Sequence, residues 1–437
     1  MKIITYFIFI YLLSFPVFGI QQLIVSDILN VALNNNLEIK IAKNKHKIAE
    51  ARTNLAWSTI FPKIGLESSI IRQENYYSNQ YNNGAAINSY YSVMGSFNQT
   101  LFSTEALTAI GSSKLRLDAA NSLLEDTSAK IYYKVLTAYL SIIKLQKNLS
   151  ILVDSKMQLK KILNQIKELR NNGLATEIDV LRTKSNLSRI DVSIVNIKNE
   201  IDIMYNNLEL LINSPLKTRK LDFTIVEQLY SNDILPNTTS ADIVLAKRKD
   251  YQYLLYTSKL LKANIDINKN KGLPILVAFG KAGFVSKESF DFKAAGLRNS
   301  LDWNMVVKLS WNFWDFGETS AKTEEARQNY LIKINELELL RKNIQNELTN
   351  NYLHIKASKA KISSLKKEEL TNRKAFNLMR SRYYLGEVTN LELIDAQNKL
   401  SKTKSELINA KVDYVIEIVS WLYNTGKLTD YFNKGES

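Results

Sequence analysis

The chain has 437 residues, 45% of them hydrophobic and 23% charged, with a formal net charge of +15, five prolines and no cysteine. Without cysteine there can be no disulfide, thiolate metal site or lipid anchor on an N-terminal Cys, and with His46 and His354 as the sole imidazoles, zinc or triad chemistry has too few residues to build on. The basic residues are spread along helical stretches instead of gathered in one block, which favours a solvated basic surface and argues against a nucleic-acid partner.

In chain order, residues 1–19 read as a signal peptide: Lys2, the apolar run Ile3 to Leu13, then Val17-Phe18-Gly19 before polar Gln21 and Gln22. No other apolar run approaches the ~18 residues of a spanning helix. Ile24 to Ser58 has helical periodicity, with Asp27 in an acidic first turn, and Pro62 ends it. From Tyr91 to Phe102 the period changes: Tyr91, Val93, Phe97 and Leu101 share one face, Ser92, Ser96, Asn98 and Thr100 the other. Trp303, Met305, Val307, Leu309, Trp311 and Phe313 alternate in the same way with Asn304, Val306, Lys308, Ser310 and Asn312, as in a strand with one apolar face. Weaker partner strands precede them over Lys63–Tyr77 and Ile275–Lys287, joined through polar loops at Ser78–Ser89 and Glu288–Asp302.

Ser103 to Arg170 and Gly317 to Leu385 are helical throughout, with no proline between Lys63 and Ser214 or after Pro274. Each could extend ~100 Å at the helical rise. Ile131, Val135, Ala138, Ile142, Leu145, Leu149 and Leu152 keep a 3/4 spacing, and Ile344, Leu348, Asn351, Ile355, Ser358, Ile362 and Leu365 repeat it 213 residues later, as a coiled-coil seam would. Each long helix then turns back at a glycine, Gly173 or Gly386, into a second helix over Thr176–Asn213 or Thr389–Asn424.

Setting Gly173 on Gly386 superposes Thr176 on Thr389, Asp179 on Glu392 and Leu187 on Leu400, while Pro62 and Pro274 are 212 apart. The chain is therefore a tandem duplication. Its expected divisions are the signal peptide, a first repeat over 20–215 (helix, β-hairpin, helical hairpin), a connecting segment over 216–247, a second repeat over 248–426 and a short polar C-terminal tail over 427–437. The fold class is α+β and mainly α, with four strands and long antiparallel coiled-coil helices per chain. Strands of ~10 to 14 residues with aromatics near their ends (Tyr76, Tyr77, Tyr90, Trp303, Phe313, Trp314, Phe316) suit membrane strands with interfacial girdles. Four strands cannot close a barrel, and lipid does not tolerate an open edge, so such a chain must assemble. Two copies would give eight strands with a filled interior; three would give twelve strands and, from four hairpin helices per chain, twelve helices.

These residues carry a resemblance. The mature chain resembles the TolC-like outer-membrane efflux and secretion channels through its duplication, the Phe61-Pro62 strand entry, the strand-to-helix passages GSFNQTLFSTEA and VKLSWNFWDFGET, the turn YYLGEVTNLELIDAQNKL, and ELINAKVDYVIEIVSWLYNTGKL near the end. The resemblance implies a homotrimer with a 12-strand β-barrel in outer-membrane lipid and a 12-helix α-barrel in the periplasm, no enzymatic activity and no cofactor. Its partners would be a periplasmic adaptor protein and an inner-membrane pump. It implies that the segment 216–247 and the C-terminal tail belt the tunnel's middle, and that the turns at Gly173 and Gly386 meet the adaptor tips. Glu392 and Asp395, three apart and so on one helix face, fall where the family has its periplasmic constriction carboxylates. In a trimer they form a ring of six acidic groups that favours cations, and mutual crowding would raise some of their pKa values. Asp179 and Tyr383 match positions whose hydrogen bond holds that end shut. At Val388 the chain departs from the arginine that contributes to the lock, leaving Arg380 or Arg382 as local substitutes. A periplasmic coiled-coil adaptor or structural protein would share the signal peptide and helices but not the lipid-compatible hairpins.

Overall fold

The structure, a computed structural model, describes residues 25–79, 82–216, 221–231, 241–286 and 301–433. The expected signal peptide lies outside them. Among the described residues, ten helices and four strands follow in order: α1 (Val25–Asn35), α2 (Leu37–Ser58), β1 (Lys63–Asn79), β2 (Asn82–Phe102), α3 (Thr104–Asn171), α4 (Glu177–Ile212), α5 (Thr224–Ser231), α6 (Ala241–Lys247), α7 (Lys249–Asn270), β3 (Ile275–Ser286), β4 (Leu301–Ser310), α8 (Glu318–Tyr384), α9 (Asn390–Asn424) and α10 (Leu428–Asn433). They form two compact units, each drawing on both repeats: one from residues 40–127 and 239–347, the other from residues 1–39, 128–238 and 348–437.

In the first unit the four strands form one antiparallel sheet in the order β1-β2-β3-β4. The pleat places Leu66, Gly95, Ala282 and Trp303 in one row and Phe97, Gly280 and Met305 in the next, all on an apolar face. The opposite face carries Gly65, Ser96, Lys281 and Asn304, then Glu67, Met94, Gly283 and Asp302. Each strand-to-helix passage ends in a side-chain cap. The Ser103 hydroxyl accepts from the Ala106 amide (3.1 Å), and 212 residues later the Asp315 carboxylate accepts from Gly317 N (3.2 Å) and Thr319 N (2.9 Å). Exposed Phe61, Phe102, Phe313, Trp314 and Phe316 gather at this end, as an interfacial girdle requires.

Three boundaries differ from the sequence expectations. The loop expected at Ser78–Ser89 is mostly strand: β2 begins at Asn82, and Ser78 and Asn79 pair with Asn83 and Asn82. Asn and Gly are poor strand formers, but a continuous ladder outweighs that weak preference. The strand expected to reach Phe313 stops at Ser310, because its ladder partner Ile275 follows Pro274, which has no N–H to extend the pairing. The single helix expected over Ile24–Ser58 breaks at Asn36, whose side-chain Oδ1 accepts from Ile39 N (3.1 Å) and whose Nδ2 donates to Leu211 O (2.7 Å).

The second unit has its core where the seam was expected. Ile131, Val135 and Ile142 of α3 are fully buried, with Leu136, Tyr139, Leu140 and Ile143 beside them, and Ile355, Ile362 and Leu365 of α8 are buried too. Asn351, a polar seam position, is satisfied: it donates to Ser420 Oγ (3.2 Å) and accepts from Asn424 Nδ2 (2.6 Å). Tyr139 joins the connecting segment to α3, its hydroxyl donating to Asp222 O (2.8 Å) and accepting from Asp222 N (2.9 Å); burial raises its pKa. Leu428–Asn433, expected as part of a polar tail, form α10, with Leu428 buried and Phe432 against Tyr132 (5.8 Å between ring centres).

Candidate functional site at the two helical turns

Both turns are built by the same local rules. At the first, Gly173 N donates to Arg170 O (2.9 Å) and Leu174 N to Leu169 O (2.8 Å); at the second, Gly386 N donates to Tyr383 O (3.1 Å) and Glu387 N to Arg382 O (3.0 Å). These paired bonds close a helix through a residue with positive φ, and Gly173 and Gly386 have φ of 76° and 75°. A Cβ at either glycine would meet nothing within 4 Å, so backbone conformation, not space, demands glycine there.

The returning helices begin with reciprocal caps. Thr176 Oγ1 accepts from Asp179 N (3.2 Å) while Asp179 Oδ2 accepts from Thr176 N (3.1 Å) and Thr176 Oγ1 (2.7 Å). Thr389 and Glu392 repeat this, with Thr389 N and Oγ1 donating to Glu392 Oε2 at 2.7 and 2.9 Å and Glu392 N to Thr389 Oγ1 at 3.3 Å. A capping box and the helix dipole both favour the ionised carboxylate. The Thr389 backbone N–H and then its hydroxyl accordingly hold the Glu392 carboxyl below its usual range. That is opposite to the rise expected from crowding in a ring, since crowding needs neighbouring copies and the cap acts within one chain. Asp395 lies one turn on and pairs with Lys399 (2.9 Å).

Tyr383 is buried, at 9% exposure, in an apolar cluster with Ile162, Ile166, Val180, Phe376 and Leu393. Burial raises its pKa, and the charge of Asp179 raises it further; among the described residues of one chain the expected hydrogen bond between the two is not made. Val388 packs on the same cluster. At Val388, where the resemblance implies an arginine, this chain therefore has apolar contact. Arg382 approaches Glu387 (3.7 Å), and Arg380 lies over the Phe376 ring (5.9 Å).

The sequence reading missed Asn390. It is 2% exposed, and its Nδ2 donates to Asp179 O (3.0 Å) and Thr183 Oγ1 (3.2 Å), tying the start of α9 to the first turn of α4. The one sequence signal was the contrast with charged Glu177 at the matching position of the first repeat. Also missed was a polar line between α3 and α9: Lys144 to Asp413 (2.9 Å), Asn148 to Asn409 (2.7 Å), Ser155 to Ser401 (2.8 Å), and Gln397 Nε2 to Ser155 O (3.0 Å).

A one-sided antiparallel sheet of two β-hairpins, each followed by a long capped helical hairpin, defines a class: membrane-inserted channel proteins with helical extensions. The comparisons agree. The profile described as outer membrane efflux protein matches residues 28–214 and 257–420. The alkaline protease secretion protein AprF of Pseudomonas aeruginosa is 24% identical over 401 residues, 88% of this chain and 81% of that one. The outer membrane protein TolC of Vibrio cholerae is 19% identical over 410 residues, covering 93% and 91%. The crystal structure of the Campylobacter jejuni CmeC outer membrane channel superposes with a TM-score of 0.82 at 16% identity, covering 94% of this chain and 89% of that one.

The chain belongs to the outer membrane efflux protein family. It is a TolC-like outer-membrane channel protein and not an enzyme.

Proposed function

We propose that three copies of this chain form a channel-tunnel that carries small molecules or proteins across the periplasm and outer membrane. It would work with a periplasmic adaptor and an inner-membrane pump. The observation that carries the trimer is the sheet itself: four strands with one apolar face, and with β1 and β4 as edges that have no further partner among the described strands. In lipid such edges cost several kcal/mol per unpaired group, so closure through other copies is obligatory, and eight strands would leave the interior filled. Protein export is what AprF's name states of that protein, and efflux is what the family's description states. Glu392 and Asp395 are proposed as the periplasmic constriction, Asp179 and Tyr383 as its gate contact, and the turns at Gly173 and Gly386 as the adaptor-facing tips.

The test is the mass, by light scattering, of the chain extracted in detergent from separated membranes. A particle with the protein mass of three 50.0 kDa chains, less any cleaved leader, from the outer membrane is the expected result. A monomer, or a chain recovered from the inner membrane, would overturn the proposal and favour an adaptor or structural role.

A further inference from the structure

The polar face of the sheet carries an ordered distribution of charge that the proposed gate does not use. Ascending from the helix-joined end, register places Lys308 beside Val277, then Lys63 in the row of Asn98 and Phe279, then Lys281 with Ser96 and Asn304, and last Glu67 and Asp302. Same-face rows are two residues apart, about 7 Å. Lys281 reaches over β2 to Glu67, Nζ to Oε2 2.7 Å, so those two charges cancel. Lys63 and Lys308 are exposed, and among the described residues neither is in an ion pair. The helix-joined end of this face therefore bears uncompensated positive charge on both edge strands, and Asp302 lies in the row of Glu67, beyond which the β1–β2 ribbon continues to Asn79 and Asn82.

We propose that Lys63 and Lys308 form a basic collar at the start of the strand-lined pore, which attracts anionic groups on the cargo and sets the charge preference of that segment. The inference rests on the channel reading, because the apolar face must meet lipid and so turns the polar face inward. The two lysines lie on opposite edges, β1 and β4, so closing the sheet brings Lys308 of one copy near the level of Lys63 of the next. Three copies hold six such ammonium groups in two adjacent rows, about 7 Å apart along the strands. Rings of basic side chains are the usual basis of anion preference in pores.

The test uses the full assembled channel in planar bilayers, with inositol hexakisphosphate added to each side in turn. Current block by this polyanion is expected in the parent channel and should weaken at least tenfold in Lys63→Gln/Lys308→Gln. It should persist in Lys63→Arg/Lys308→Arg and in Glu392→Gln/Asp395→Asn. Equal block in parent and Lys→Gln channels, or loss of block in the Arg pair, overturns the collar. A parent protein that passes no current overturns the channel reading and the collar together, which distinguishes that failure from the first. As a second readout, the reversal potential in a KCl gradient should move toward cation preference in the Lys→Gln channel; an unmoved potential counts against the collar.

Discussion

At the second turn, Gly386 supplies a backbone conformation and Thr389 with Glu392 supplies hydrogen bonds, and the two contributions respond differently to pH. Glu392 accepts two bonds as an anion, which lowers its pKa, so the contribution is present above the ordinary glutamate value of about 4.3 and is lost as pH falls through the lowered value. Glu392→Gln keeps the shape of the cap without the charge. Hydrogen exchange of the first turn of α9 should therefore be faster in Glu392→Gln than in the parent chain at neutral pH, and the two should converge in acid. A gap of constant size from pH 7 to pH 3 would show that the carboxylate charge does not hold this turn. Gly386 as the turn and Thr389 as the start of the returning helix were legible in the sequence, because both are specified within a few residues; Glu392 was singled out as a constriction carboxylate, and its part in the cap came from the structure. Asn390 was not, because its partners Asp179 and Thr183 lie more than 200 residues away and nothing local marks an asparagine as buried.

Elements show the same divide between local and distant causes. The long helices were readable to within a residue or two, since their periodicity, caps and lack of proline are all local. Strand ends depended on the partner: Ser310 is the last residue of β4 because its partner Ile275 follows Pro274, which cannot extend the ladder, and β2 extends back to Asn82 because β1 continues alongside it. Glycines in the sheet divide in a way that composition cannot show. A Cβ on Gly283 would lie 2.0 Å from Val93 O and 2.7 Å from Met94 Cα, whereas one on Gly95 would make ordinary contact with Ala282 O at 3.5 Å. Gly283→Ala must push β3 away from β2, at an overpacking cost of about 1–3 kcal/mol. Heat resistance of the assembled species on unboiled gels should fall for Gly283→Ala and stay at the parent level for Gly95→Ala. Equal resistance of the two variants would mean that the β2–β3 approach is looser than described.

For the whole molecule, the duplication was legible and the way it is used was not. The sequence shows two similar halves in tandem, yet each compact unit takes segments from both, since α3 and α8 each contribute to the two units. This arrangement gives a gate variant a clean interpretation. Asp179 takes part in the second unit twice, its carboxylate capping α4 and its main-chain carbonyl accepting from Asn390, and Tyr383 is buried close by. Replacing Asp179 by Ala removes the first contact and leaves the second, so the tie between α4 and α9 survives. Tyr383→Phe keeps the ring in its apolar cluster and removes the hydroxyl. The double variant Asp179→Ala/Tyr383→Phe therefore deletes the polar contact proposed to keep the tip closed while preserving the packing within each chain. In bilayers it should raise the fraction of open channels and the mean single-channel conductance above the parent's. If conductance is unchanged while Asn390→Leu raises it, closure depends on the tie between α4 and α9 within one chain and not on the tyrosine–carboxylate pair.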